Sequence, residues 1–109
     1  MNWIPLTDAL QLEEIRTKSP NRPQVIFKHS TSCSISKMVL NRLERNEAPA
    51  AFDFYYLDLL KYRPLSNQVA ETFRVSHESP QLLLIRDGKC VYNESHTGIS
   101  MDELIGEAA

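Results

Sequence analysis

The dipeptide Asp87-Gly88 separates two runs of strand-forming residues, Gln81 to Arg86 and Lys89 to Glu94. Such a pair between two runs of this kind is the strongest short signal for a two-residue β-hairpin, because both turn positions need a positive φ. The second half of the chain is therefore predicted to contain one antiparallel strand pair.

Upstream of the hairpin, apolar runs alternate with segments of helical period. Val25 to Phe27 and Phe52 to Leu60 predict two buried strands, and Trp3-Ile4 predicts a third, short one. Apolar residues at helical spacing predict four helices. The first contains Leu10, Leu12 and Ile15 and is capped by Thr7 or Asp8, and the second contains Ile35, Met38, Val39 and Leu43 and is capped by Thr31 or Ser32. The third contains Leu65, Val69 and Phe73 after Arg63-Pro64, and the fourth contains Leu104 and Ile105 after a capping box, Ser100 to Glu103. This order predicts a three-layer α/β/α sandwich, with a central mixed sheet of four to five strands flanked by about four helices.

The chain length and charge narrow the possible classes of protein. With 109 residues, the chain can form one core and is too short for two ordinary domains, so we expect a single domain over residues 1–109. A net charge of −2 without a basic run argues against a nucleic-acid binder. No apolar segment is long enough to span a membrane, and the N-terminus lacks signal-peptide features, so we expect a cytoplasmic protein.

Cys33 lies in the segment HSTSCSISKM, His29 to Met38, where a predicted strand passes into a predicted helix. The free N–H groups of a first helical turn and the positive end of the helix dipole stabilise a thiolate over a thiol. The alternative is a buried cysteine that only fills space. Small polar neighbours favour a junction that solvent can reach, and these are Ser30, Thr31, Ser32, Ser34 and Ser36. We therefore predict that Cys33 is a reactive nucleophile.

Ser79-Pro80 directly precedes the strand that begins at Gln81. Proline has no N–H for the ladder, so it suits the first position of a strand, and the bond before it can be cis. An ordinary trans proline at this position is the alternative. The order of strand, cysteine and helix upstream favours the cis form, because redox folds of this topology hold a cis-proline against the nucleophilic sulfur.

The segments FKHSTSCSIS, Phe27 to Ser36, and SHESPQLLLIRDGK, Ser76 to Lys89, are similar to those of the monothiol bacilliredoxin family, the YtxJ-like proteins of the thioredoxin superfamily. The resemblance spans nearly the whole chain. It implies a thioredoxin-like fold and the removal of bacillithiol from mixed disulfides on client proteins, with Cys33 as the nucleophile and Pro80 as the cis-proline beside it. Ser34 departs from the family pattern, in which proline commonly follows the cysteine, and it restores a backbone N–H near the sulfur.

Ser36 occupies the position of the second cysteine of a Cys-x-x-Cys site. Its hydroxyl either donates a hydrogen bond to the Cys33 thiolate or is that of a solvated first-turn serine, and the sequence leaves both interpretations open. Cys90 cannot replace the missing thiol, because the strand after Pro80 carries the chain roughly 20 Å away before it turns back, whereas a disulfide needs Cα atoms within about 7 Å. The exchange is therefore expected to use one cysteine, which an external thiol must reset.

The predicted site residues are Cys33, Ser36 and Pro80 for catalysis, and Thr31, Ser34, His77 and Ser79 for substrate binding. His77 is predicted to line the groove for an anionic thiol, although a solvated loop histidine is the alternative. The histidines and cysteines lack metal-ligand spacing, so we expect neither a metal nor a tightly bound cofactor. The expected partners are S-thiolated proteins, a small thiol as co-substrate (bacillithiol, from the resemblance) and a recycling reductant, without nucleic acid or membrane.

Two other functions fit the same residues. The first is a glutaredoxin-like or arsenate-reductase-like monothiol oxidoreductase that uses a different small thiol. The second is a non-catalytic thioredoxin-fold adaptor in which the cysteine is vestigial.

Overall fold

The computed structural model describes all residues from 1 to 109. The strands are β1 (Trp3–Pro5), β2 (Gln24–His29), β3 (Asp53–Asp58), β4 (Gln81–Arg86) and β5 (Lys89–Ser95). The helices are α1 (Leu10–Lys18), α2 (Ser34–Glu44), α3 (Arg63–Phe73) and α4 (Met101–Ala108), and a 3-10 turn covers His96–Gly98. The strands form one sheet in the order β1-β3-β2-β4-β5. Strands β1, β3 and β2 are parallel, and β4 and β5 are antiparallel to their neighbours.

Each face of the sheet carries its own apolar core, because successive side chains of a strand point to opposite faces. One core joins the sheet to α1 and α3, and its strand residues include Ile26, Leu57, Leu83 and Ile85. The other joins the sheet to α2 and α4, and its strand residues include Val25, Phe27, Leu82 and Leu84. Five strands between two helical layers confirm the predicted α/β/α sandwich.

Strand β2 is the centre of the sheet, and all six of its residues are buried. It pairs in parallel with β3, where His29 lies opposite Asp58, and antiparallel with β4, where Lys28 lies opposite Gln81. The carboxyl ends of β2 and β3 therefore meet the beginning of β4 at one edge of the sheet. Cys33 follows the end of β2 and Pro80 precedes β4, so both lie at this edge.

The hairpin and the third helix form as predicted. Asp87 and Gly88 have φ values of 53° and 80°, which a two-residue turn between right-twisted strands requires. Pro64 lies in the first turn of α3, where its missing N–H is not needed. Ser100 caps α4 by accepting a hydrogen bond from the Glu103 N–H at 3.1 Å.

The predicted caps of the first two helices are not those of the structure. Helix α2 has Cys33 itself at the N-cap, without a side-chain cap hydrogen bond, so neither Thr31 nor Ser32 is the cap. Helix α1 has Ala9 at the N-cap, although Asp8 beside it accepts a hydrogen bond from the Leu10 N–H at 2.8 Å. Both helices begin later than the polar residues that suggested their starts.

Three of the apolar residues that predict the first two helices are exposed in the structure. Leu10 is 73% exposed, and Ile35 and Met38 on α2 are 45% and 44% exposed. The core contacts of α2 are made by Val39 and Leu43, one turn apart on the side that faces the sheet. The apolar residues of α2 therefore cover a wider part of the helix surface than the face that is buried against the sheet. None of the four helices is both long enough and apolar enough to cross a bilayer.

The two glycines Gly88 and Gly106 should respond oppositely to the same substitution. Gly88→Ala places a Cβ at a φ of +80°, and we expect the free energy of unfolding to fall by about 1 kcal/mol. Gly106→Ala adds a Cβ within α4, where no heavy atom lies within 4 Å, so we expect a gain of up to about 1 kcal/mol from better helix propensity. Urea unfolding of both variants and the wild type measures the two changes, and changes of the same sign would contradict the assigned turn.

Candidate active site

Cys33 is the N-cap residue of α2, with extended backbone at φ −103° and ψ 123°. Its N–H donates to the Ser30 carbonyl at 3.2 Å, and its own carbonyl accepts from the Lys37 N–H at 3.1 Å. The N–H groups of the next three residues, Ser34 to Ser36, form no backbone hydrogen bond. The thiol is partly exposed and free. The sulfur-bearing residue therefore lies at the amide-rich end of the helix, as predicted, and its role as a nucleophile stays a prediction.

The bond between Ser79 and Pro80 is cis, the form that the sequence favours. Pro80 is buried, and its carbonyl accepts a hydrogen bond from the His96 N–H at 3.0 Å. Gln81 lies opposite Lys28, so Pro80 lies beside the end of β2, from which the chain continues through Ser30 to the cysteine. The register of the sheet thus brings Pro80 to the same edge as Cys33.

The side chain of Ser36 is fully buried, which excludes the solvated-serine interpretation. Its Oγ lies 2.7 Å from His29 Nδ1 and accepts a hydrogen bond from the Ser30 N–H at 3.0 Å. No hydrogen bond joins the Ser36 hydroxyl to the Cys33 sulfur, so the interpretation of Ser36 as a donor to the thiolate also differs from the structure. Ser36 instead ties the first turn of α2 to the end of β2.

His29 is buried beneath this first turn. Its ring lies 5.9 Å from the Phe27 ring and 5.5 Å from the Tyr56 ring, between centroids. Burial lowers the pKa of His29 and outweighs the nearby charge of Asp58, so the ring is neutral near pH 7. The contribution of His29 to the site is therefore its hydrogen bond to Ser36 and not a positive charge beside the thiol.

Lys28, which the sequence analysis did not single out, is a fully buried amine on the opposite face of the sheet. Its Nζ donates to the Ser66 carbonyl at 3.1 Å and lies 3.2 Å from His77 Nδ1. None of the three ion pairs in the structure includes it. Burial lowers its pKa from 10.5 to about 8. The sequence contained a signal for this burial. A strand that is buried on both faces buries all of its side chains, and this includes the lysine at its end.

His77 is half-buried and held by Lys28, so it is not the freely solvated loop histidine of the alternative interpretation. Burial lowers its pKa, and the charges of Lys28 and Arg63 lower it further. Of the other predicted binding residues, Thr31 and Ser34 are exposed close to Cys33 in the chain, and Ser79 is partly exposed before Pro80. These placements agree with a site at this edge, and their roles stay predictions.

Cys90 lies far from this edge. It is opposite Ile85, five residues along β4 from Pro80, which corresponds to roughly 16 Å of strand. Its sulfur donates a hydrogen bond to the Tyr92 carbonyl at 3.2 Å, and burial raises the pKa of its thiol. Cys90 is a strand residue, as predicted, and is not positioned to pair with Cys33.

An open groove of about 670 Å³ runs along the outer side of α2 from the residue after Cys33. Five of its six lining residues are polar or charged, which are Ser34, Lys37, Asn41, Glu44 and Arg45, and the sixth is Met38. No group of three or more His, Cys, Asp or Glu side chains is arranged to hold a metal ion. The chemistry that this edge offers is therefore that of a partly exposed sulfur with polar surroundings.

Comparison with known proteins gives a family and a fold. The family model described as monothiol bacilliredoxin BrxC matches residues 4–104. A solved structure described as "A putative oxidoreductase with a thioredoxin fold" is 29% identical, with a TM-score of 0.83 over 97% of this chain and 93% of that chain. The thioredoxins of Malassezia sympodialis (Mala s 13) and Chlamydomonas reinhardtii (thioredoxin f2) are both 17% identical, with TM-scores of 0.71 and 0.72, over 96% of this chain and 86% and 92% of theirs. The predicted thioredoxin-like fold is confirmed.

Removing the Ser36 hydroxyl should destabilise the fold. In Ser36→Ala the buried Ser30 N–H loses its acceptor and His29 Nδ1 loses its partner, so we expect a loss of about 1 to 3 kcal/mol in the free energy of unfolding. Ser34→Ala is the matched control, since Ser34 is an exposed serine of the same turn, and should change stability by less than about 0.5 kcal/mol. Equal losses in the two variants, measured by urea unfolding, would contradict the structural role of Ser36.

The buried amine of Lys28 should make stability depend on pH in the alkaline range. Because the folded chain releases this proton near pH 8 and the unfolded chain only near 10.5, the unfolded state binds more protons in between, and stability rises with pH. In Lys28→Met this contribution is absent. The difference in the free energy of unfolding between wild type and variant therefore isolates the effect of Lys28, because the other titrating groups contribute equally to both proteins. We expect that difference to change in favour of the wild type by about 2 to 3 kcal/mol between pH 7.5 and 10.5. Parallel stability curves from urea unfolding across this range would contradict it.

Proposed function

The chain belongs to the monothiol bacilliredoxin family, and from this premise we propose that it removes bacillithiol from mixed disulfides on client proteins by exchange at Cys33. The family and the thioredoxin-like fold place it among thiol–disulfide redox proteins. The observation that carries the finer proposal is the position of Cys33, a free and partly exposed thiol at the N-cap of α2. We further propose that it works in the cytoplasm, a compartment that keeps thiols reduced.

In the first step, the Cys33 thiolate attacks the bacillithiol sulfur of the mixed disulfide. A disulfide bond forms between Cys33 and bacillithiol, and the bond between bacillithiol and the client sulfur breaks. The electron pair leaves with the client sulfur, which takes a proton from water. The client thiol is thereby reduced, and Cys33 is oxidised to a mixed disulfide. The unpaired N–H groups of Ser34 to Ser36 support this step, because they favour negative charge on the attacking sulfur.

In the second step, an external thiol attacks the bacillithiol sulfur bound to Cys33. The Cys33 thiolate leaves, and a disulfide of the two small thiols is released, which a separate reductant must reduce. Ser36 cannot carry out this step, because a hydroxyl does not exchange with a disulfide and its oxygen is already engaged by His29 and Ser30. The distance to Cys90 excludes that residue as well.

Client binding is proposed at the segment before Pro80. The N–H and carbonyl of Ser79 form no backbone hydrogen bond within the chain. An extended client segment that carries the modified cysteine can pair with these groups, in the manner in which an extended peptide adds to an exposed backbone edge. Such pairing orients the disulfide toward Cys33, which lies at the same edge of the sheet.

Substitution of each cysteine separates the two thiols. With a client protein modified by bacillithiol, we expect Cys33→Ser to abolish release of bacillithiol, because the attacking sulfur is gone, and Cys90→Ser to keep the rate within about twofold of the wild type, because that residue is remote. Mass spectrometry of the trapped protein should find one bacillithiol on Cys33. Release by Cys33→Ser at the wild-type rate would contradict the mechanism.

The identity of the small thiol needs a separate comparison. The reduced wild-type protein is incubated with equal concentrations of bacillithiol, glutathione and coenzyme A disulfides, and the adducts are weighed. A dominant glutathione or coenzyme A adduct would contradict the assignment of bacillithiol while leaving monothiol exchange in place. The absence of any adduct on Cys33 would instead favour an adaptor with an unreactive cysteine.

A further inference from the structure

The buried amine of Lys28 fixes the chemical form of His77. An ammonium group has only donors, so its 3.2 Å contact with His77 Nδ1 needs a lone pair on that nitrogen. The Ser66 hydroxyl also lies 3.4 Å from Nδ1. With Nδ1 unprotonated, the one proton of the neutral ring is on Nε2. That atom makes no hydrogen bond to the protein and is not among the buried side-chain atoms without a partner, so solvent can reach it.

A second side chain on the same face holds the same loop. Gln81 is almost fully buried and lies opposite Lys28 in the sheet. Its Nε2 donates to the Ser76 carbonyl at 3.0 Å, while its Oε1 is buried without a partner. Ser76 and His77 are therefore each held by a side chain of a central strand, Gln81 and Lys28 respectively.

The charges around His77 favour an anion. Lys28 and Arg63 are the cations near the ring, and Glu78 is the nearby anion. The Glu78 carboxylate lies 3.2 Å from His96 Nε2 on the other side of the loop, so it already has a partner. Lys28 has no carboxylate partner at all among the ion pairs of the structure. The unpaired charge behind His77 is thus positive.

We propose that His77, held by Lys28 as the Nε2–H tautomer, donates a hydrogen bond to a carboxylate of the small thiol that is bound at Cys33. This inference rests on the proposed function and deepens it by naming the anionic group that the site recognises. His77 lies near the end of β2 through its contact with Lys28, and Cys33 is tied to the same end through Ser30. Both residues thus belong to segments that meet the end of β2, and the proposal requires the thiol linked to Cys33 to extend across this edge of the sheet to His77. Lys28 is a positioning residue, since it acts through the ring.

The lowered pKa of His77 agrees with this geometry, because it keeps the ring neutral near pH 7 and the donor is then the neutral Nε2–H. The groups that face the ring are Lys28 from β2, Arg63 from α3 and Glu78 from its own loop. Burial lowers the pKa of Lys28 to about 8. The recognition of a carboxylate should therefore weaken above about pH 8, where Lys28 loses its positive charge.

Two substitutions of His77 separate its two nitrogens. His77→Asn keeps an acceptor near the position of Nδ1 and loses the outward donor, whereas His77→Gln places an amide N–H near the position of Nε2. The probes are two small disulfides, 3,3′-dithiodipropionate, which carries carboxylates, and 2-hydroxyethyl disulfide, which is neutral. For each protein the rate of mixed-disulfide formation at Cys33 is measured by mass spectrometry.

We expect His77→Asn to lower the rate with the carboxylate disulfide by about fivefold, the range of one hydrogen bond, and His77→Gln to retain most of that rate. The quantity compared is the ratio of the rates with the carboxylate and the neutral disulfide within each protein, because this ratio cancels any general effect of the substitution on Cys33. An unchanged ratio of the two rates in His77→Asn would overturn the inference and leave the proposed function standing. Failure of wild-type Cys33 to react with either disulfide would instead overturn the proposed function.

The tautomer can be measured in the wild type without any substitution. The ¹⁵N chemical shifts of the His77 ring at pH 7 should show a protonated Nε2 and an unprotonated Nδ1. In Lys28→Met the shifts should move toward a mixture of the two tautomers, because the ammonium no longer selects the lone pair. A protonated Nδ1 in the wild type, or no difference between the two proteins, would overturn the role assigned to Lys28.

Discussion

The end of β2 is the constraint on which both sides of the candidate site depend. Consecutive residues of a strand point to opposite faces, so Lys28 and His29 extend into different helical layers. His29 reaches Ser36 and fixes the turn that carries Cys33, whereas Lys28 reaches His77 and fixes the loop that leads to Pro80. Because β2 is the central strand and is hydrogen-bonded on both sides, its end holds two separate segments in register with the sheet.

Both of these strand residues are polar groups in a buried environment, which costs free energy unless hydrogen bonds compensate for lost water. The partners are neutral, a serine hydroxyl for His29 and a carbonyl and an imidazole for Lys28. A buried amine without a carboxylate is less well compensated than an ion pair, and its depressed pKa reports that cost. Two apolar side chains at these positions would be buried at a lower cost in free energy, but they would not form the hydrogen bonds to Ser36 and His77 that hold the site.

Local signals predicted most of the fold. The hairpin at Asp87-Gly88, the cap at Ser100 and the junction at Cys33 each depend on residues close together in the chain, and the structure contains all three. The partners of Ser36 and the contact between Lys28 and His77 could not be predicted in the same way. They join residues that are 7 and 49 positions apart, and their formation depends on the register of the whole sheet. The exposure of Ile35 and Met38 depends likewise on how α2 is rotated against its layer.

The chain has a single tryptophan, and its position gives the site an optical property of its own. Trp3 stacks on Phe27 with centroids 5.8 Å apart, and Phe27 stacks in turn on His29 beneath the first turn of α2. The indole is therefore two rings away from the histidine that holds Ser36. Its fluorescence should therefore report on the packing of this interior without a label, from a short strand at the edge of the sheet.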